Sequence, residues 1–509
     1  MYNSVLNLRA RAERKSMPRP HATPPNLFRR VPVWLTAALV SLLLAPLIAV
    51  SGASPAAAAV LDPSQFKGVH WSRLGDNFTF DRLVLQGLSA GDDYNATRSK
   101  ADAMFGAFQS ALGANTVRLP INPATVAWNS YNGVIDAATA RGFKVVLSYW
   151  VEDGSNKVVD GYLNTWNQMW DTLTTRYRGN PQIFFDPINE PIGFSTPQWL
   201  DFAANWISRQ TANGFPRERM LIEGAQADGG GWGTDLRPLC NDSRFEGVYL
   251  AMHRYAFPYP ARTYTEWVND IKMYMGNCAS RTLIEEFGAD ADNGIDYNAT
   301  PSATTPKEVA YLRAITDVIR EYRLGAIWCH GIGGRTTSPD HDSLNILRLY
   351  SAYAGGTQNL PLWIPNPTAV DRLKYAWGES GSATSRLRTP GYTKCLDVPG
   401  SSQNNDVQLQ VWDCGNGGNQ RWTRSAANTL TVYNGTKCLD AYGFGKTNGT
   451  RVVIHDCHGM INQKWLFFSD ETIRGVDSRL CLDADLYSTT NVQLWSCGNG
   501  TNQKWQQLI

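Results

Sequence analysis

The sequence has little charge of either sign and few histidines. Only 18% of the 509 residues are charged, and the formal net charge is +2. A balanced charge argues against nucleic acid or an acidic surface as a partner. The seven histidines show no ligand spacing such as H-E-x-x-H, which argues against metal-dependent hydrolysis. We therefore expect neither a metal nor a cofactor.

Long apolar runs are absent beyond residue 50. The one such run, residues 31–50, follows scattered basic residues that end in Arg29 and Arg30. It precedes the stretch SGASPAAAA, which offers A-x-A-like cleavage choices around Ala57 to Ala59. This order is typical of a secretory signal. We therefore expect residues 1–59 to be removed and the protein to be secreted and extracellular, without a membrane contact after cleavage. The sequence decides neither the export route nor the cleavage site.

Residues 60–378 alternate short apolar runs with amphipathic stretches. The eight predicted strands read FKGVHW, ANTVRLPI, KVVLSYW, IFFDPINEP, MLIEGAQ, VYLAMHRY, RTLIEEFGA and GAIWCHG. Helical spacing marks segments such as residues 99–113, 164–179, 306–322 and 367–378. Eight strand–helix units predict an α/β TIM (β/α)8 barrel. A doubly wound open sheet is the alternative, but the Gly-rich phosphate loop that it would show after the first strand is absent.

Polar residues fall at the predicted carboxyl ends of these strands, where a barrel carries its active site. They are Arg118, Asn189, Glu190, His253, Tyr255, Glu286 and Trp328. Two carboxylates, Glu190 and Glu286, on one rim among aromatic residues predict glycoside hydrolysis. Because alternate side chains of a strand point in opposite directions, we expect Glu286 rather than Glu285 to face the site. His330 and His341 are predicted to be ordinary loop residues.

The chain after residue 386 is turn-rich and repetitive. KCLD at 394–397 returns at 437–440 and as LCLD at 480–483, and NQRW at 419–422 returns as NQKW at 462–465 and 502–505. Three units too small to bury separate cores must pack together, which predicts an all-β threefold domain at 387–509 after a linker at 379–386. We expect the disulfides Cys395–Cys414, Cys438–Cys457 and Cys481–Cys497, together with Cys240–Cys278, and a buried free Cys329.

The barrel residues resemble glycoside hydrolase family 5, the cellulase-like retaining enzymes, over about residues 62–378. The resemblance implies that Glu190 is the acid/base and Glu286 the nucleophile, while Asn189 binds the sugar 2-hydroxyl. It further implies that Tyr255 bonds the nucleophile and Trp328 stacks under the sugar, with Arg118 and His253 also lining the substrate site. The family commonly has a His at the end of strand three. Here that strand ends in SYW, so Trp150 or Tyr149 is expected to form a stacking wall instead.

The tail resembles the ricin-type β-trefoil carbohydrate-binding module. In such modules each lobe binds sugar through an Asp, an aromatic residue and an Asn. The corresponding residues are Asp397, Trp412 and Asn419 in lobe 1, Asp440, His455 and Asn462 in lobe 2, and Asp483, Trp495 and Asn502 in lobe 3. The Gln-x-Trp residues are expected in the core.

Together these features predict a secreted, monomeric β-glycanase that acts on a polysaccharide or oligosaccharide and carries its own lectin-like module. The alternative is a secreted glycan-binding protein whose barrel is a catalytic relic. The presence of both carboxylates and their neighbours argues against a relic. The sequence leaves the glycan, the linkage and endo or exo action open, as well as which trefoil lobes bind sugar.

Overall fold

The computed structural model describes residues 61–150, 162–227, 233–335, 343–349, 362–379, 384–390, 394–485 and 489–508. The predicted signal segment and His341 lie outside these ranges, and the predicted linker lies only partly inside them. Within the described ranges, we find no helix with the length and apolar character that a bilayer crossing requires.

Eight parallel strands form one sheet in the order β4-β3-β2-β1-β8-β7-β6-β5. Their bounds are Lys67–Leu74 (β1), Thr116–Ile121 (β2), Lys144–Tyr149 (β3), Ile183–Asp186 (β4), Leu221–Glu223 (β5), Tyr249–His253 (β6), Thr282–Phe287 (β7) and Gly325–Gly334 (β8). A parallel bridge between Phe185 and Met220 joins the two outer strands of this order. The predicted eight-stranded barrel is confirmed.

Nine α-helices are described, most of them between successive strands. They are Tyr94–Leu112 (α1), Pro123–Val126 (α2), Asn129–Ala140 (α3), Leu163–Tyr177 (α4), Thr196–Ala212 (α5), Arg237–Cys240 (α6), Tyr264–Met275 (α7), Lys307–Tyr322 (α8) and Pro367–Ala376 (α9). Capping boxes fix the starts of α5 and α7, where Ser195 pairs with Gln198 and Thr263 with Glu266. The α-helix patterns read from the sequence are confirmed at α1, α4, α8 and α9.

Apolar side chains close the lower part of the barrel. Phe66, Val146, Phe184, Leu221 and Leu283 belong to one buried cluster there, and Phe66 packs edge-to-face on Phe184 at 4.9 Å between ring centroids. A larger apolar layer lies between the strands and the helices. Polar groups above this floor therefore lie in surroundings where charge interactions are strong.

The C-terminal domain is an antiparallel β structure. Its strands are Thr384–Thr389 (β11), Lys394–Asp397 (β12), Val407–Gln408 (β13), Gln410–Asp413 (β14), Trp422–Arg424 (β15), Leu430–Val432 (β16), Lys437–Ala441 (β17), Thr450–Asp456 (β18), Trp465–Phe467 (β19), Ile473–Gly475 (β20), Cys481–Ala484 (β21), Val492–Trp495 (β22) and Gln506–Leu508 (β23). A short pair, Arg348–Leu349 (β9) and Leu362–Trp363 (β10), precedes it.

The three repeats share one internal pattern. The indole N–H of Trp422, Trp465 and Trp505 donates to the carbonyl of Leu396, Leu439 and Leu482, respectively, at 2.9–3.0 Å. All three indoles are buried, so the predicted core role of the Gln-x-Trp tryptophans is confirmed. All four predicted disulfides form, and Cys329 is free and buried, as predicted.

The barrel and the trefoil belong to one compact unit. Backbone hydrogen bonds join them, from Ile364 N–H to the Phe467 carbonyl at 3.0 Å and from Ser469 N–H to the Leu362 carbonyl at 2.7 Å. The buried side chains of Asp371 and Arg424 approach to 3.6 Å across the same contact. The trefoil therefore docks on the barrel through backbone hydrogen bonds and a buried ion pair.

Candidate active site

Glu286 lies near the end of β7 and is the better buried of the two predicted catalytic carboxylates. Arg118 donates to its Oε1, and the Tyr255 hydroxyl donates to its Oε2 at 3.0 Å. Burial by itself raises the pKa of Glu286, but the charges of His253 and Arg118 outweigh burial and hold this pKa well below its ordinary value. The side chain is therefore held as a carboxylate, the form that a nucleophile needs.

Glu190 occupies a different environment from Glu286. Its side chain is 18% exposed, against 5% for Glu286, and its backbone has φ +47°, in the left-handed region. One oxygen lies 3.4 Å from His253 Nδ1. A carboxyl group that reaches solvent can exchange a proton with water and with a bound substrate.

The two carboxylates lie close together beside one nitrogen of the His253 imidazole ring. His253 Nδ1 is 3.4 Å from Glu190 Oε1 and 3.5 Å from Glu286 Oε2. An oxygen of Glu190 and an oxygen of Glu286 lie within 4.8 Å of each other. A substrate atom between them would be within reach of both.

Arg118 stands at the centre of a fully buried charge cluster. Besides Glu286, its guanidinium contacts Asp186 at 2.7 Å, Glu223 at 3.1 Å and Glu285 at 3.1 Å. Four acidic side chains around one arginine exceed the positive charge that it supplies. The site therefore favours a proton on one of the acidic side chains or on His253. Burial lowers the pKa of His253, but the charges of Glu223 and Glu286 outweigh burial and raise this pKa well above its ordinary value.

Asn189 completes the predicted barrel set. Its side-chain oxygen accepts from Arg118 at 3.0 Å, while its amide nitrogen has no hydrogen-bond partner among the described residues. Because this donor is buried and unpaired, a ligand hydroxyl at the site would supply the missing acceptor.

Two strand-end predictions are wrong. Arg118 lies in the middle of β2, and Trp328 is the fourth residue of the ten-residue β8. Arg118 still reaches the site because its long side chain extends through the lumen. His330 is not a loop residue: it lies in β8, is buried and bonds Ser72 Oγ through Nδ1 at 2.9 Å.

The exclusion of Glu285 from the site is also wrong. Strand β7 departs from regular pairing after Met252 and Ile284, so that His253 pairs with Glu286. An extra residue in a strand breaks the alternation of side chains. Glu285 and Glu286 therefore both point into the lumen, Glu285 beneath Glu286 and 3.8 Å from His253 Nε2.

The two predicted stacking tryptophans are buried. Trp328 has no exposed surface, and its indole N–H donates to the Leu344 carbonyl at 2.9 Å. Trp150 is 5% exposed, lies 4.9 Å from Phe78 between ring centroids, and its indole N–H has no partner among the described residues. Their sugar-stacking roles stay predictions.

The sequence reasoning missed four buried groups at the site. They are His70, Asp186, Glu223 and Glu285. Glu223 closes β5, and His70 lies in β1, with Nδ1 4.0 Å from Glu286 Oε1. The strand-end signal that singled out the predicted residues was present for Glu223 and was not used.

Lobes 1 and 3 of the trefoil share one polar arrangement. Asp397 accepts from Gln410, Asn419 and Gln420 at 2.7–2.9 Å. Asp483 accepts from Gln493, Asn502 and Gln503 at 2.8–3.3 Å. Beside these carboxylates, Trp412 is 54% and Trp495 is 43% exposed. Each lobe thus combines an oriented carboxylate with an open aromatic face, and Gln410 and Gln493 are additions to the predicted sets.

Lobe 2 differs in chemistry. Asp440 keeps its contacts with Asn462 and Gln463 at 2.9–3.0 Å, but Val453 stands at the register position of Gln410. His455 replaces the exposed tryptophan, and His458 Nε2 lies 3.4 Å from Asp440. The lobe therefore lacks both the extra amide and the indole face of its two neighbours.

Comparison with known families agrees with this architecture. Residues 76–329 match the model of the cellulase family, glycosyl hydrolase family 5. Residues 383–505 match the ricin-type beta-trefoil lectin domain. The chain joins a family 5 glycoside hydrolase domain to a ricin-type lectin domain. The family resemblance read from the sequence is thus confirmed for both domains.

Solved structures similar to parts of the chain include both kinds of protein. The family 5 domain is similar to XacCel5A in complex with cellopentaose (15% identity, 48% of this chain and 84% of that one, TM-score 0.37). It is also similar to the clostridial cellulose synthase subunit Z from Clostridioides difficile (12% identity, 60% and 98%, TM-score 0.41). The lectin domain is similar to the agglutinin from Abrus precatorius (27% identity, 25% and 48%, TM-score 0.22).

Proposed function

We propose that the protein is a secreted, retaining glycoside hydrolase that cleaves β-glycosidic bonds in a polysaccharide. The observation that carries this proposal is the pair Glu190 and Glu286, with oxygens within 4.8 Å of each other. A retaining pair needs carboxyl groups about 5–5.5 Å apart, whereas an inverting pair needs roughly 6.5–9.5 Å to admit a water. The short separation supports double displacement.

In the first step Glu286 attacks the anomeric carbon as the glycosidic C–O bond breaks, and Glu190 gives its proton to the leaving oxygen. In the second step Glu190 takes a proton from water, and the water oxygen displaces Glu286 from the sugar. Arg118 and Tyr255 hold Glu286 ionised and oriented for attack. The unpaired amide of Asn189 is placed to bind a hydroxyl of the reacting sugar.

The trefoil is proposed to bind the same class of polymer through lobes 1 and 3. A bound module raises the local concentration of the catalytic domain at a polymer surface without taking part in the chemistry. Secretion is part of the proposal, supported by the four disulfides and by the signal-like segment. We further propose that the protein acts as a monomer.

Mutant kinetics with two kinds of substrate test the proposal. A panel of cellulose, mannan, xylan and galactan would first identify the glycan by release of reducing ends. Glu286→Ala should then lose activity on every substrate by several orders of magnitude, and azide should yield a glycosyl azide of inverted configuration. Glu190→Ala should keep much of its activity on an activated aryl glycoside, with azide accelerating release of the intermediate.

Two results would contradict the proposal. No cleavage of any panel member by the wild type would favour the alternative of a glycan-binding protein with a relic barrel. The reverse azide pattern would exchange the roles of Glu190 and Glu286.

A further inference from the structure

Glu223 touches both the acid/base residue and the imidazole beside it, and the mechanism above does not use it. It ends β5 and is fully buried. Its Oε2 accepts from the backbone N–H of Glu190 at 2.7 Å. Its Oε1 lies 3.2 Å from His253 Nε2 and 3.1 Å from Arg118 Nη2.

The contact with Glu190 falls where the backbone needs support. Glu190 has φ +47°, a conformation that is unfavourable for a residue with a Cβ, and Pro191 restricts it further. A buried carboxylate that accepts the Glu190 N–H fixes the peptide from which the acid/base side chain projects. Burial raises the pKa of Glu223 well above its ordinary value, and its Oε2 can accept the Glu190 N–H in either protonation state.

The contact with His253 approaches the same side chain from the other direction. The imidazole lies between Glu223 and Glu190, with Nε2 toward Glu223 and Nδ1 toward Glu190. Glu223 therefore constrains Glu190 twice, once through its backbone and once through the ring beside its carboxylate.

Gly233, which lies between β5 and α6, packs directly on Glu223. Gly233 has φ +62°, and a Cβ there would come within 2.5 Å of Glu223 Oε2 and 3.3 Å of the His253 ring. The backbone N–H of His253 donates to the Gly233 carbonyl at 3.0 Å. The backbone of this glycine therefore packs against the Glu223 carboxyl group.

We propose that Glu223 is a positioning residue that orients the acid/base Glu190 for proton transfer to the leaving group. The inference rests on the proposed function and predicts an effect confined to steps in which Glu190 moves a proton. Glu286 receives direct hydrogen bonds from Arg118 and Tyr255. Its nucleophilic attack should therefore depend less on Glu223, which reaches it only through Arg118 and His253.

Comparison of leaving groups separates positioning from a general structural role. The parameter kcat/KM reports the glycosylation step. On an unactivated glycoside, Glu223→Gln should lower kcat/KM by about 10–100-fold, because a small misplacement of a catalytic group costs about that much. On an activated aryl glycoside, which needs little protonation, the loss should stay within about threefold.

Glu285→Gln is the matched control. Glu285 is an equally buried carboxylate that contacts Arg118 and approaches His253, but no contact with Glu190 is observed in the described structure. Its substitution should change kcat/KM for both substrates by the same factor. Glu223→Asp keeps the carboxyl group and shortens the reach to the Glu190 N–H, so it should repeat the selective loss.

Distinct outcomes separate the two proposals. A wild type that cleaves neither substrate contradicts the proposed function. A wild type that is active, with Glu223→Gln and Glu223→Asp losing both activities equally, overturns the positioning role alone. So does a selective loss of the same size in Glu285→Gln. Melting temperatures identify a variant that fails to fold, and the remaining Glu223 variant then decides.

Discussion

The buried ion pair between barrel and trefoil gives a stability prediction that can be worked from the structure. Asp371 on α9 and Arg424 on β15 lie 3.6 Å apart and are only 4% and 5% exposed. Removing one member of a buried pair typically costs about 3–5 kcal/mol, because the other charge stays buried without compensation. Asp371 would retain the amide donor of Asn298 at 3.1 Å, so we expect Arg424→Met to cost about 3 kcal/mol, the lower limit of this range.

Guanidinium denaturation with the disulfides intact measures this cost. Asp371→Asn should lose a similar amount, and the double variant should lose less than either single variant, because no uncompensated charge then stays buried. Arg244→Met is the control, because its pairs with Asp201 and Asp242 are shorter, at 2.7 Å and 2.6 Å, but the Arg244 side chain is exposed to solvent. An exposed pair of this kind contributes at most about 1 kcal/mol.

A free energy of unfolding for Arg424→Met within about 0.5 kcal/mol of the wild-type value would show that the pair does not stabilise the protein. So would a double variant in which the losses of the two single variants add. The prediction also bears on domain deletion. A barrel cut off after α9 loses the backbone partners of Leu362 and Ile364. We therefore expect such a truncation to be less stable, whatever its activity on small substrates.

Three further predictions concern binding and pH. Trp412→Ala and Trp495→Ala should each weaken binding to the cognate polysaccharide by about 1–2 kcal/mol, roughly tenfold, and together by more, whereas His455→Ala should change binding little. Affinity electrophoresis measures these affinities, and equal effects in all three lobes would contradict the assignment of binding to lobes 1 and 3. Phe257 is 51% exposed and lies 4.9 Å from Tyr255 between ring centroids, so we expect it to contact the substrate. Phe257→Ala should raise KM for oligosaccharides while kcat stays within about threefold, and an unchanged KM would rule out this contact. Burial and a neighbouring carboxylate raise the pKa of Asp186 to about 6, so its contribution to stability is present below pH 4 and is lost as pH rises through 6. Because the pKa of Glu223 is raised as well, Asp186→Asn should weaken rather than abolish the fall in unfolding free energy between pH 4 and pH 7, and an unchanged fall would contradict this role of Asp186.

Much of the fold could be predicted because its signals are local. Each barrel strand is an apolar run bounded by polar or turn residues, and each helix shows its own period. The trefoil repeats are visible as KCLD and NQ-x-W strings, and cysteines at matching places in each repeat point to the observed disulfides. Such features need no knowledge of distant contacts.

The unpredicted features depend on contacts between distant parts of the chain. Alternation along an ideal strand placed Glu285 away from the site, but the bulge in β7 turns it inward. Glu223 was passed over because its role depends on Glu190 and His253, which reach it only in the closed barrel. The docking of the trefoil depends on Asp371 and Arg424, and neither stands out in its local sequence.

The configuration of the first product tests the central claim most directly. With a glycan from the panel that the wild type cleaves, proton NMR during the first minutes distinguishes the anomer released by the enzyme before mutarotation. Double displacement should release the β-anomer, because the sugar is inverted twice, with Glu286 covalently attached to it between the two steps. Initial release of the α-anomer would mean a single displacement by water, and would contradict the assignment of Glu286 as nucleophile.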